Sequence, residues 1–129
     1  MSDLPDPSEP VSGTLDEDAL DRLRELDPAG RTGLVGRVMR AFDTSARRLG
    51  SSLHEARVNG DLLGIRHVVH TLKSSSASIG ALHLSALCAE IENMIRNEST
   101  ERLDSYVGAM EHELELVLEA IKPMLRPTP

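Results

Sequence analysis

His67, His70 and Lys73 recur at intervals of three residues, and Arg66 immediately precedes them. On a helix this spacing puts them on one face, together with Leu63, Ser74 and Ala77. Two imidazoles, a guanidinium and an ammonium thus share a strip in a chain of formal net charge -7. That local inversion of charge suits an anion at His70. The chemistry open to the strip is nucleophilic. A neutral imidazole nitrogen attacks an electrophile near neutral pH without an auxiliary base. Arg66 and Lys73 disfavour the imidazolium and so favour the reactive form. Lys73, one turn beyond His70, can reach an oxygen of a phosphoryl group carried on the ring. Ser74 is small, so a partner approaching His70 meets no bulk there. Its hydroxyl could equally bond back to a helix carbonyl. Ser75, Ser76 and Ala77 keep the surroundings low in profile, and Ser75 and Ser76 also suit two closely packed helices.

Other chemistries fit less well. His67 and His70 could share a cation, but no second pair of ligands accompanies them, and Arg66 and Lys73 would repel a divalent ion. Cys88 is the single cysteine and falls on an apolar stripe, so no metal site is expected. No glycine-rich phosphate loop follows a strand, and no acidic cluster is arranged for magnesium. A chain with a nucleophile and no means of binding ATP is not expected to be a kinase or another enzyme. It should take a phosphoryl group from one protein and hand it to another.

The elements that position these residues are helices. Ile65, Val69, Leu72, Ser76 and Ile79 recur at spacings of four and three, which predicts a helix from Leu62 to about Ile79 with that stripe facing a core. Asn59-Gly60-Asp61 marks its start, with a left-handed glycine ending the previous helix and Asp61 as N-cap. Gly80 closes it, as a structural residue of the site with a turn role.

A short first helix is expected from a Thr14–Glu17 capping box to about Leu26, with Leu15, Ala19, Leu20, Leu23 and Leu26 inward. Asp27-Pro28-Ala29-Gly30 ends it. A second helix should run from near Thr32 to Val58 on Val35, Val38, Met39, Phe42, Ala46, Leu49 and Leu53, with Gly50 as a possible bend. A fourth, from about Ala81 to Arg96, turns Leu84, Leu87, Cys88, Ile91, Met94 and Ile95 inward. The fifth, Glu101 to Leu125, carries Leu103, Val107, Met110, Leu114, Val117 and Ile121, with Pro123 ending or kinking it. No segment alternates at period two. The fold class is therefore all-α: an antiparallel up-down four-helix bundle, with the short first helix covering one end. Residues 1–13 read as a disordered tail, 14–126 as the helical domain and 127–129 as a C-terminal tail.

Composition narrows the setting. The 129 residues fit one core, 40% are apolar, and one Phe and one Tyr leave the interior mostly aliphatic. No apolar run is long enough to span a membrane and no signal peptide is visible. One cysteine excludes an internal disulfide, and a reducing cytoplasm is the natural compartment. The acidic balance argues against nucleic acid as a partner.

At this point the residues resemble a known family. His70-Thr71-Leu72-Lys73-Ser74-Ser75-Ser76 followed by Gly80-Ala81 is similar to the motif of histidine-containing phosphotransfer (HPt) domains of bacterial two-component phosphorelays. Leu84-Ser85-Ala86-Leu87-Cys88-Ala89-Glu90-Ile91-Glu92 resembles the helix that follows in bacterial members. The resemblance covers most of the chain. It implies a four-helix bundle with His70 as the phospho-acceptor, exposed midway along a helix, and Lys73 as the phosphate-stabilising residue. Where much of the family has a glycine after the lysine, this chain has Ser74, which is also small. The implied reaction is reversible transfer between receiver-domain aspartates and His70. The partners are receiver domains of response regulators or of a hybrid kinase, docking on a rim of Leu63, Arg66, His67, Ser74 and Ala77. No cofactor is expected on this chain; Mg2+ belongs to the receiver. A monomer is the simplest state. The alternative reading is a helical adaptor or inhibitor that binds kinases or receivers without being phosphorylated.

Overall fold

The structure, a computed structural model, describes residues 14–125. Both expected tails lie outside that range. Five helices follow one another: α1 (Glu17–Glu25), α2 (Leu34–Val58), α3 (Leu62–Ser78), α4 (Leu82–Arg96) and α5 (Leu103–Ile121), closed by a 3-10 turn at Lys122–Met124. No strand occurs among the described residues. The four long helices form an antiparallel bundle in the order α2, α3, α4, α5 around its axis, and α3 makes its most extensive contact with α4.

The core follows the expected stripes. Met39, Phe42, Ala46, Leu49 and Leu53 of α2 meet Ile65, Val69 and Leu72 of α3, Leu84, Leu87, Cys88 and Ile91 of α4, and Val107, Met110, Leu114, Val117 and Ile121 of α5. Tyr106 is buried among them. The seam between α2 and α5 is thinner. It is bridged by Arg57, which donates to Asp104 and Glu111, beside an open cleft of about 530 Å3 bordered by Gly50, His54, Leu114 and Leu118. A Cβ at Gly50 would approach Leu114 at 3.2 Å, so this glycine marks a close passage of α5.

Three boundaries differ from expectation, each for a local reason. The N-cap of α1 is Asp16, not Thr14: its carboxylate accepts from the Ala19 N–H at 2.9 Å. Its own N–H donates to the Gly80 carbonyl at 2.7 Å, a tertiary bond that fixes where the helix begins. Leu26, expected inward, is 73% exposed: it is the C-cap residue just beyond α1, which ends at Glu25. Helix α2 starts at Leu34, after a left-handed Gly33, and the Asp27 carboxylate accepts from the N–H groups of Thr32 and Leu34. Pro123 stops α5 at Ile121 and sits inside the 3-10 turn.

The start of α3 is as the sequence indicates. Gly60 takes a left-handed φ of 65°, and the Asp61 carboxylate accepts from the Gly64 N–H at 3.0 Å. At the other end Gly80 has a φ of 83°, and an added Cβ would lie 3.2 Å from the Ala19 Cβ. Gly80 therefore serves the turn and also seats α1 across the end of the bundle.

Ser76 is fully buried where α3 packs on α4, and its hydroxyl has no hydrogen-bond partner. Smallness is needed there, and polarity is a cost of about 1 kcal/mol or more. Ser76→Ala is expected to raise the free energy of unfolding by about 1 kcal/mol, read as a higher urea midpoint at unchanged slope. A lower midpoint would show that the hydroxyl is satisfied in solution.

Candidate functional site

His70 lies near the middle of α3, on the face opposite the Val69 and Leu72 stripe. Its side chain is 67% exposed. Leu63, Arg66, His67, His70 and Lys73 border one open cleft of about 400 Å3, together with Glu92 and Arg96 of α4. Ser74 and Ala77 are exposed further along the same helix but do not line it. Gly80 lies ten residues beyond His70, at the end of α3 where α1 docks. Among the described residues no group of three or more His, Cys, Asp or Glu side chains is placed to hold a metal ion.

Beneath the cleft sits Glu92, whose side chain is only 5% exposed. One carboxylate oxygen, Oε2, is 2.6 Å from His70 Nδ1, and the other, Oε1, accepts from the Lys73 ammonium at 2.6 Å. Arg96, one turn along α4, stands 3.8 Å from the same Oε1. Lys73 holds Glu92 below the ordinary carboxylate range, and the His70 contact acts in the same direction against burial. An ionised carboxylate can only accept, so Nδ1 must be the donor. In the neutral ring that assignment leaves the lone pair on Nε2, the nitrogen turned away from Glu92.

The magnitudes are balanced. Burying a lone carboxylate costs several kcal/mol. Two short charge-assisted hydrogen bonds, each contributing about 1.5–3 kcal/mol, offset a cost of that size. Glu113 on α5 is the contrast. It is also buried, and with no such bonds its carboxyl is pushed up by burial, partly opposed by His83 and His112. Near the Glu92 cluster, burial pushes the Cys88 thiol up to about 12, which leaves it protonated and unreactive.

Backbone contacts hold Lys73 in place. Its carbonyl accepts from the Ser85 hydroxyl of α4 at 2.8 Å, a second link between the two helices at the level of the site. Ser74 donates nothing back to the helix here; its carbonyl accepts from Ser78, while Ser75 bonds back to Leu72.

The family model described as Hpt domain matches residues 37–122. This chain belongs to the Hpt domain family. It is similar in structure to histidine-containing phosphotransfer protein B from Pseudomonas aeruginosa PAO1. That likeness has a TM-score of 0.75 at 26% identity and covers 88% of this chain and 95% of that one. A rice protein described as a putative histidine-containing phosphotransfer protein shares the fold, with a TM-score of 0.71 at 22% identity over 88% of this chain and 82% of that one. No curated protein matches the chain in sequence. Membership carries a histidine phosphotransfer role, that of a phosphoryl carrier.

Two residues of this Hpt domain's site were not singled out from the sequence, Glu92 and Arg96. The sequence presents the neighbourhood of His70 as cationic alone, and the carboxylate under the ring corrects that picture. A signal did exist. Glu92 follows Cys88 by four residues, so it lies on the inward side of α4, where an acidic residue requires a partner.

Because the folded state depresses Glu92, its contribution to stability is fully present above about pH 4.3, the unfolded value. It is lost as the pH falls through the lower folded value. Glu92→Gln should therefore destabilise the domain by roughly 1–2 kcal/mol at neutral pH, with the difference closing in acid. Thermal melts across that range check it. An equal deficit at every pH would mean that packing, not charge, sets the effect.

Proposed function

We propose that His70 accepts a phosphoryl group from the aspartyl phosphate of a receiver domain and returns it to the aspartate of another. The observation that supports this reading is the 2.6 Å contact between Nδ1 and Glu92 on a histidine that borders an open cleft, which leaves Nε2 as the ring nitrogen not engaged by the carboxylate. The Nε2 lone pair attacks phosphorus opposite the acyl oxygen. The Nε2–P bond forms as the P–O bond breaks, and the aspartate leaves as a carboxylate. The ring becomes a phosphoimidazolium whose Nδ1–H remains on Glu92, so the carboxylate meets the positive charge that develops.

Lys73 is the phosphate-stabilising residue in this reading. Its ammonium rests on Glu92 and is 34% exposed, so a short swing carries it to a phosphoryl oxygen. Arg96 can follow. The receiver supplies Mg2+ and the acidic pocket, and this chain binds no cofactor. Leu63, Arg66 and His67 beside the nucleophile, with Ser74 and Ala77 along α3, form the rim on which the receiver docks. Such a contact is transient and modest in area. Reversible transfer of this kind relies on positioning and charge rather than on machinery of the carrier's own.

The test is transfer of label from a phosphorylated receiver domain. His70→Gln should abolish it, and Lys73→Ala should slow it by roughly tenfold or more while leaving the fold intact by circular dichroism. Undiminished labelling of His70→Gln would remove His70 from the mechanism. Binding of receivers without any label on the wild-type chain would favour an adaptor instead.

Bulk next to the nucleophile gives a separate check. Ser74→Trp, at an exposed position, should block transfer with an unchanged helical spectrum. Normal transfer in that variant would place the docking surface elsewhere.

A further inference from the structure

The cleft beside His70 is lined by more positive than negative groups. Arg66, Lys73 and Arg96 border the cleft, and the carboxylate among its lining residues, Glu92, is buried with both oxygens engaged. The cleft is open and about 400 Å3 in volume. This cationic strip belongs to a chain of formal net charge -7, so it is a local site for small anions on a protein that is acidic as a whole.

We propose that His70 is phosphorylated directly by small N-phosphoryl donors of the phosphoramidate class, without a protein partner or a metal ion. The proposal rests on His70 being the acceptor. Near neutral pH phosphoramidate carries an ammonium group bonded to a dianionic phosphoryl group. The Nε2 lone pair attacks phosphorus opposite that nitrogen. The Nε2–P bond forms, the P–N bond breaks, and its electron pair leaves on ammonia, which already holds its three protons. No general acid is needed to release it. One P–N bond replaces another, so the exchange requires no strong driving force. The three cations offset the repulsion between donor and protein, and Glu92 keeps Nδ1–H as the ring gains charge. Phosphate esters and nucleoside triphosphates fall outside the class, because their leaving groups depart as anions and not as a neutral amine.

The experiment incubates the full chain with phosphoramidate in EDTA and follows the gain of one phosphoryl group by intact mass and 31P NMR. The wild type is expected to take up one acid-labile group, His70→Gln none, and Lys73→Ala and Arg96→Ala to react roughly tenfold more slowly, with the rate falling as salt rises. A parallel arm offers the same chain a phosphorylated receiver domain. Labelling by the receiver but not by phosphoramidate overturns this proposal and leaves the carrier reading standing. Labelling by neither takes down both. Equal rates in wild type, Lys73→Ala and Arg96→Ala would reduce the reaction to that of any exposed imidazole and also overturn the proposal. So would a label that persists in His70→Gln.

Discussion

A buried carboxylate governs this molecule's reactive face. Glu92 sits under α3 with one oxygen on the His70 ring and the other on Lys73. Removing its charge would leave the imidazole free to rotate and to choose either tautomer, and the lysine free to wander through solvent. With it in place, the ring tautomer is selected and the Lys73 ammonium is held on the same carboxylate. Two of the groups with a proposed part in the chemistry share a single anchor on a different helix. The spacing between α3 and α4 therefore sets both contacts at once.

That spacing is set by side chains of low bulk. Ser76 is buried between the helices without a partner for its hydroxyl, and Ala81 is buried at the start of the next helix. The Ser85 hydroxyl reaches the Lys73 carbonyl across the same seam. Larger residues would push α4 outward, and Glu92 would lose contact with two partners on α3 at once.

Much of this was legible in the sequence, and the reason is periodicity. The α3 stripe of Ile65, Val69, Leu72, Ser76 and Ile79 is buried throughout, and its opposite face is exposed, because helical geometry alone decides which side chains share a face. Asp61 and Gly60 were readable because their roles are local. What escaped were pairings between distant positions. Asp16 became the cap of α1 through a bond to Gly80, and Glu92 found His70 on another helix, 22 residues away. Neither contact has a signature within a single turn. Glu92 was also masked by its type, since a glutamate in a helix is usually solvated.

The bundle is unevenly knit. Its closest association joins α3 to α4, the two helices that carry the site, while α2 and α5 meet across a partly open cleft bridged by Arg57 and its acidic partners. Thermal opening should thus begin along the back of the molecule, with amide protons on the facing sides of α2 and α5 exchanging well before those of α3 and α4. The looser seam and the His70 face lie on opposite sides of the bundle, so opening along one need not disturb the contact between His70 and Glu92.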